Sequence, residues 1–474
     1  MRKRLLLLSV FAVGLATSVC AGGLMTNTNY HIAFDRMMAR GATFDIDAAY
    51  SNPAGMAWTK EGWQLSLNFQ KPWQNRDIET TIPNFLAVPA LGYSGVNIDQ
   101  KFNGKASAPI VPALFASYKK DRLAVSTMIG IVGSGGFVKY DDGIPMFNTL
   151  VMAKLLSATA ALPAAMGGPV TPEKYTIDSK MEGKQYIFGG QLNLTYKITD
   201  YLAAAVGMRA NYYDGYNRGH VIANMGGADL INLQLDCLQK GWGFAPIVAL
   251  DFHKGPVTLA ARYEFRTKIS TENDTRQLDV KIKNTDPATA AAVPYIEGAV
   301  AMQQFGDKVT PYLDGVKTRY DMPALLSVAL GYDFSPKLRA TLEYHFFDDK
   351  HAKMAGNRQD ELEGGTNEFL AGVEYDINEK FTISCGAQRT DYGLSDGYQQ
   401  NTSFACDSYS VGLGGAVNLS EKLRLNVGYF ITIYSDYTKT FTAEQGGYLG
   451  TGYPGKDVYS RTNNVIGVGL DYRF

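Results

Sequence analysis

The sequence predicts an all-β protein, a 14-stranded antiparallel transmembrane β-barrel, and three observations support this prediction. Long stretches alternate apolar residues with polar or small ones, and this period of two places alternate side chains on opposite faces of a strand. Short polar turns alternate along the chain with long connections. A basic and then apolar segment begins the sequence, and an aromatic residue, Phe474, ends its last strand. Together these features are typical of a bacterial outer-membrane barrel.

The N-terminal residues are expected to form a signal peptide, residues 1–21. Three basic residues precede an apolar stretch at 5–13, and Val19 and Ala21 suit cleavage after Ala21. Cys20 leaves a lipoprotein alternative open, although Val19 stands where a small residue is usual. Removing residues 1–21 takes away three basic residues and no acidic ones, so the net charge falls from −1 to −4. This acidity argues against a nucleic-acid partner.

The alternating stretches give fourteen candidate strands. They lie at residues 63–71, 109–118, 123–132, 186–196, 202–213, 241–252, 257–267, 321–334, 338–347, 369–377, 381–391, 409–419, 423–434 and 462–474. One face is lipid-like, as in Leu425 and Val427, whereas the other is small or polar, as in Ser410 and Gly412. The short turns are expected at the periplasmic rim and the long loops outside the cell. A soluble sandwich would share the alternation, but not the signal, the turn asymmetry or Phe474.

The remaining segments predict an N-terminal plug and two helical extracellular loops. Residues 22–62 precede the predicted barrel of residues 63–474, and the long loops lie at about 134–185 and 268–320. A helix is expected at 146–161 and an Ala-rich apolar segment at 287–305. Long loops with their own helices are usually functional. The candidates for an apolar capture groove are Phe147, Leu150, Leu155, Leu156, Val293 and Ile296. Packing of the two loop helices on each other is the alternative.

A motif near the N-terminus carries a family resemblance. Asn52, Pro53, Ala54 and Gly55 follow Asp47-Ala48 at a suitable distance from the cleavage site. Together with the signal, the strand count and the two loops, this motif resembles the FadL/TodX family of outer-membrane transporters for hydrophobic compounds. The resemblance implies that residues 22–62 fold into the barrel as a hatch and that the loops capture ligand. It also implies that a kink in the third strand releases ligand sideways into the bilayer.

The third strand itself contains a suitable place for a kink. Gly130, Gly133, Gly135 and Gly136 fall within seven residues, and glycine inside a strand often marks a bulge. The alternative is that these glycines begin the extracellular loop.

Two arginines are candidates for binding a ligand carboxylate. Alternation places Arg209 and Arg262 in the lumen, where a planar guanidinium donates two parallel hydrogen bonds to a carboxylate. A structural ion pair, such as one between Arg262 and Glu264, is the alternative. The five histidines are scattered, and no nucleophile spacing, metal-ligand cluster or phosphate loop is visible, so neither an enzyme nor a cofactor or metal is predicted.

The sequence therefore predicts passive outer-membrane transport of a hydrophobic small molecule, a long-chain fatty acid or an aromatic hydrocarbon. The other expected partners are outer-membrane lipid and the barrel-assembly machinery, and the expected state is a monomer. Two alternatives remain at this point. A polar-solute porin needs no plug, and an adhesive or structural barrel would use its loops without moving a solute.

Overall fold

The computed structural model describes residues 30–281 and 312–474, and these residues form one closed antiparallel barrel of 14 strands, as predicted. The strands, some in two segments, are β1 Gly62–Phe85, β2 Val96–Ser107 and Val111–Lys120, β3 Leu123–Tyr140, β4 Thr176–Lys197, β5 Leu202–Met225, β6 Ala228–Lys254, β7 Val257–Glu264 and Ser270–Lys281, β8 Lys317–Arg319 and Leu325–Ser335, β9 Leu338–Phe347, β10 Thr366–Asp376, β11 Phe381–Asp391, β12 Ser408–Asn418, β13 Leu423–Tyr434 and Tyr437–Phe441, and β14 Gly455–Arg473.

The described helices are short, with one exception. They are α1 Ile32–Arg36, α2 Ala48–Ser51 and α3 Pro145–Thr159, together with the 3-10 turns Pro53–Trp58, Pro89–Leu91, Ala164–Met166, Pro172–Lys174, Asp349–His351, Ala355–Glu361, Ala443–Gln445 and Tyr448–Gly450. No helix among the described residues is long and apolar enough to cross a membrane.

The barrel closes where its first and last strands meet. β1 pairs with β14 from Gln64↔Arg473 to Thr81↔Lys456, and the other strands pair with their neighbours along the chain. Closure pairs the two end strands of the sheet with each other, as a wall in contact with lipid requires.

The outer face of the barrel is apolar, as alternation predicted. Large hydrophobic side chains are exposed on successive strands, among them Leu192, Val206, Phe244 and Leu342. Aromatic side chains mark the short-turn rim, for example Trp63, which contacts Tyr118 at a ring distance of 4.9 Å. Such a band with aromatic edges is the surface that lipid contacts.

Several strands are longer than the alternation indicated. β4 begins at Thr176 instead of 186, β6 at Ala228 instead of 241, and β7 continues to Lys281 through the predicted start of a loop at 268. These extensions rise beyond the apolar band, where the outward residues are largely polar, so the lipid-facing alternation ends although the ladder continues. The predicted signal and the segment at 287–305 lie outside the described residues.

Candidate functional site

The lumen is occupied by residues 30–61, called here the lumen segment. Its α1 lies directly against inward glycines of β11 to β14, and a Cβ placed on Gly412 would stand 2.4 Å from the backbone oxygen of Asp35. The chain's own N-terminal part fills the room that these small inward residues leave in the lumen. Burial raises the pKa of the Asp35 carboxyl in α1 well above its ordinary value.

The Asn52–Gly55 motif is fixed to the short-turn end of the wall. Asn52 Nδ2 donates a 2.8 Å hydrogen bond to Asp251 Oδ2, and Trp58 Nε1 donates one of 2.7 Å to Asp251 Oδ1. Thr195 Oγ1 donates to the carbonyl oxygen of Pro53 at 2.7 Å. Ala54 is fully buried against two wall alanines. The motif is therefore an anchor between the lumen segment and β4 to β6.

A buried ionic network fixes the rest of the lumen segment. Arg40 donates to Asp47 at 2.8 Å, and the backbone N–H groups of Arg40 and Gly41 each donate to Glu343 Oε2 at 2.8 Å. Arg36 forms an ion pair with Glu374 of β10. These contacts place several charges across the lumen near its short-turn end.

The two predicted carboxylate-binding arginines both contact Tyr50 of the lumen segment. Arg209 lies 5.4 Å from the Tyr50 ring centroid and pairs with Glu264, while Arg262 donates to the Tyr50 carbonyl oxygen. An ion pair was expected between Arg262 and Glu264, whereas in the structure Glu264 pairs with Arg209. In this arrangement both groups position the lumen segment, and a role in binding ligand stays a prediction.

The wall is interrupted between β2 and β3. The two strands pair from Leu114↔Ile129 to Lys120↔Leu123 and again from Gly104↔Tyr140 to Ala106↔Val138. Residues 107–113 and 130–137 between these ladders form no pairs with each other among the described residues. β3 meanwhile stays paired with β4, with register shifts at Ile131/Gly133 and Ser134/Gly136. We call this interruption the wall gap.

The predicted glycine cluster lies at the wall gap. Gly130, Gly133, Gly135 and Gly136 all lie inside β3, which continues to Tyr140, so they do not begin a loop. Gly136 has a φ of +72°, which disfavours other residues. The register shifts leave Val132 and Gly135 without ladder partners on β4. The two bulges bend β3 away from β2 without breaking its other ladder.

Apolar side chains line both sides of the wall gap. Ala108, Val111 and Ile131 are buried together at its edges, with Tyr30 of the lumen segment packed against them. Ile110 and Ile129 are exposed on the outer side. Behind the gap, a larger apolar cluster includes Phe115, Met128, Val132, Tyr213 and Tyr320, and the rings of Tyr213 and Tyr320 stack at 5.0 Å. These residues were not predicted from the sequence, where their only signal is a bulky apolar side chain in inward phase.

Helix α3 closes the opposite end of the lumen, close to where a helix was predicted at 146–161. Leu150 packs against β1 to β3, Leu155 against β5 and β6, and Leu156 against the end of β1. Phe147 is half-buried between the first two groups. These four groove candidates therefore line the inside of the mouth, whereas Val293 and Ile296 lie outside the described residues.

Comparisons with known proteins agree with this architecture. Residues 284–474 match a family model described as outer membrane protein beta-barrel domain. None of the curated proteins compared with the sequence matches it significantly. The fold is similar to that of a FadL homologue from Pseudomonas aeruginosa, with 13% identity, 96% of this chain and 100% of that chain covered, and a TM-score of 0.65.

Two further solved structures share the fold. The toluene transporter TbuX of Ralstonia pickettii is 12% identical over 94% of this chain and 97% of its own, with a TM-score of 0.53. The toluene transporter TodX of P. putida is 12% identical over 91% and 94%, also with a TM-score of 0.53. The predicted resemblance is thus confirmed at the level of the fold. The protein is an integral β-barrel of the bacterial outer membrane.

Proposed function

We propose that the protein moves hydrophobic molecules, with long-chain fatty acids as the expected class, across the outer membrane by passive diffusion and releases them sideways through the wall gap. The observation that carries the proposal is the gap itself, an interrupted ladder with apolar edges facing both lumen and lipid. Unpaired backbone in a membrane wall is costly unless it borders a cavity, protein or ligand. Similarity in fold to two toluene transporters supports an apolar ligand.

The apolar clusters define a route from outside to the gap. A ligand enters among the apolar side chains that pack around α3, such as Leu150 and Leu155. It then passes to the cluster around Phe115, Met128 and Tyr213, directly behind β3. Each step exchanges one apolar contact for another, so no energy source is required.

Exit through the periplasmic end is opposed by the ionic network of the lumen segment. An apolar molecule would have to pass Arg36, Arg40 and Glu343, all buried and all engaged in hydrogen bonds or ion pairs. Separating such pairs leaves uncompensated charges, which costs several kcal/mol. The lumen segment acts as a hatch, and a shift of Tyr30, which packs on both edges of the wall gap, would widen the gap.

A deletion tests lateral release. Removing Val132 and Gly135 restores a regular β3–β4 register, which is expected to let β3 pair with β2 and close the gap. Uptake of radiolabelled oleate would be measured in cells that lack their own transporter and express the chain. We expect uptake with the natural sequence and a loss of about tenfold or more with the deletion. Deleting Arg276 is the matched control, because it removes the bulge of β7 on the far side.

The outcomes separate the possibilities. Loss of uptake by both deletions, with heat-modifiable migration intact, would oppose release through the gap. Absence of uptake by the natural sequence for both oleate and toluene would overturn the transport proposal.

A further inference from the structure

Two arginines face each other on the inner wall above the lumen segment. Arg76 of β1 and Arg461 of β14 are direct partners in the closing ladder, in phase with the inward residues Ile78 and Tyr459. Only 4% of Arg76 is exposed. Like charges placed directly opposite each other destabilise a sheet. The pair therefore costs stability in the barrel as it stands.

Neither guanidinium has a counter-charge among the described residues. The Nε atoms of both are buried without a hydrogen-bond partner among those residues, and the Arg461 guanidinium stacks over the Tyr434 ring at 4.7 Å. The next inward pair along this ladder is also incompletely bonded. Gln74 and Asn463 are direct ladder partners, and each has a buried side-chain oxygen without a hydrogen-bond partner in the described part of the chain.

Three other lumen arginines have carboxylate partners. Arg36, Arg209 and Arg339 each form an ion pair with a glutamate. Buried charges are normally paired, because desolvation without compensation is expensive. A facing pair of arginines without carboxylates is the arrangement that an anionic ligand would complete, and a carboxylate accepts two parallel hydrogen bonds from such a fork.

An apolar surface adjoins the pair and continues to the mouth. Ile78, Phe102, Tyr140, Phe404 and Tyr459 belong to one buried cluster. The same cluster includes Met146 and Leu150 of α3. A molecule with its acidic group at the arginines can thus lay an apolar tail along this surface toward the mouth.

We propose that Arg76 and Arg461 bind the carboxylate of a long-chain amphiphile whose tail lies against the cluster around Phe102 and Phe404. The inference rests on the proposed transport function and narrows its ligand to an anionic amphiphile, since a neutral aromatic hydrocarbon leaves the two charges uncompensated. Arg209 and Arg262, which hold Tyr50, are not part of this site.

Binding of radiolabelled oleate and of methyl oleate to the purified full chain in lipid nanodiscs tests the proposal. The ester has the same tail without the negative charge. We expect oleate to bind more tightly than the ester, and Arg76→Met with Arg461→Met to weaken oleate about tenfold or more without affecting the ester. Arg461→Lys, which keeps the charge but loses the fork, is expected to lose less.

Arg389→Met is the matched control. Arg389 is exposed on the outer face, and like Arg461 it stacks over a tyrosine ring, that of Tyr409, at 5.4 Å. It is expected to leave oleate binding unchanged. Retained heat-modifiable migration shows that each variant is folded.

Four results would overturn the inference. Equal binding of oleate and ester, or oleate binding unaffected by the double substitution, excludes a carboxylate at these arginines while leaving hydrophobic transport intact. Displacement of oleate by millimolar acetate excludes a site built for an amphiphile. Binding of neither oleate nor ester, together with no uptake of either, overturns the transport function as well.

Discussion

Glu343 is the wall residue on which the lumen segment depends most directly. One of its oxygens accepts the backbone N–H groups of Arg40 and Gly41, and the other accepts from Ser327 at 2.9 Å and contacts His345 at 2.7 Å. We expect Glu343→Gln to lower the free energy of unfolding by about 3 kcal/mol, because the amide offers one acceptor oxygen and no charge for the histidine. Urea unfolding of the purified chain in detergent measures this.

The control for that substitution is Glu363→Gln. Glu363 is exposed in a loop, so this substitution should change the free energy of unfolding of the protein by less than about 0.5 kcal/mol. Equal effects of the two substitutions would show that Glu343 contributes nothing specific to holding the lumen segment.

Asp349, in the loop after β9, makes the stability of the barrel depend on pH. Burial raises the pKa of its carboxyl to about 7, although the Thr366 N–H donates to it at 2.9 Å. The folded state therefore keeps a proton that the unfolded chain releases near pH 4. The stability this provides is full below pH 4 and is lost as the pH rises to about 7, by up to about 4 kcal/mol.

The test compares the natural sequence with Asp349→Asn at pH 4.5 and pH 8. Asn keeps an acceptor for Thr366 and does not titrate, so we expect the variant to lose less stability between the two values. Asp200→Asn, at an exposed position, should behave as the natural sequence does. Parallel pH profiles for all three proteins would contradict the assignment to Asp349.

Among the elements, α1 depends on wall glycines for its position. Gly412→Val places a side chain where the Asp35 carbonyl lies, 2.4 Å from the new Cβ, so α1 must move. We expect the free energy of unfolding to fall by about 1–3 kcal/mol, the usual cost of overpacking. Gly190→Val is the matched control, since nothing lies within 4 Å of its Cβ. A Gly412→Val variant as stable as the control would mean that α1 is not held against the wall.

Strands could be predicted where lipid imposes the alternation. β9 and β11 have the predicted bounds, 338–347 and 381–391, because every second residue faces lipid. The predicted first strand ended at 71 and the last began at 462, so Arg76 and Arg461 fell just outside both. Their pairing could not be predicted, because beyond the apolar band the outward residues are polar and alternation no longer marks a strand. The extensions of β4 and β6 were missed for the same reason.

Only those parts of the candidate site that lie within one segment of the sequence could be predicted. The glycines of β3 lie together in the sequence and were found. The wall gap also requires the bend of β3 relative to β2, and the contacts of Arg209 and Arg262 with Tyr50 join positions far apart in the chain. Such long-range register depends on packing between segments and leaves no local signal.

At the scale of the whole molecule, the filled lumen predicts which solutes are excluded. A water-filled pore would need continuous polar space, whereas residues 30–58 occupy the short-turn end and α3 the mouth. We expect liposomes containing the natural protein not to swell in isotonic arabinose. A variant lacking residues 30–58 should admit arabinose if it remains heat-modifiable, and Gly412→Val should lie between the two. Rapid swelling with the natural sequence, unchanged by the deletion, would instead identify a polar-solute porin. In that case the pore would already be open to arabinose with residues 30–58 in place.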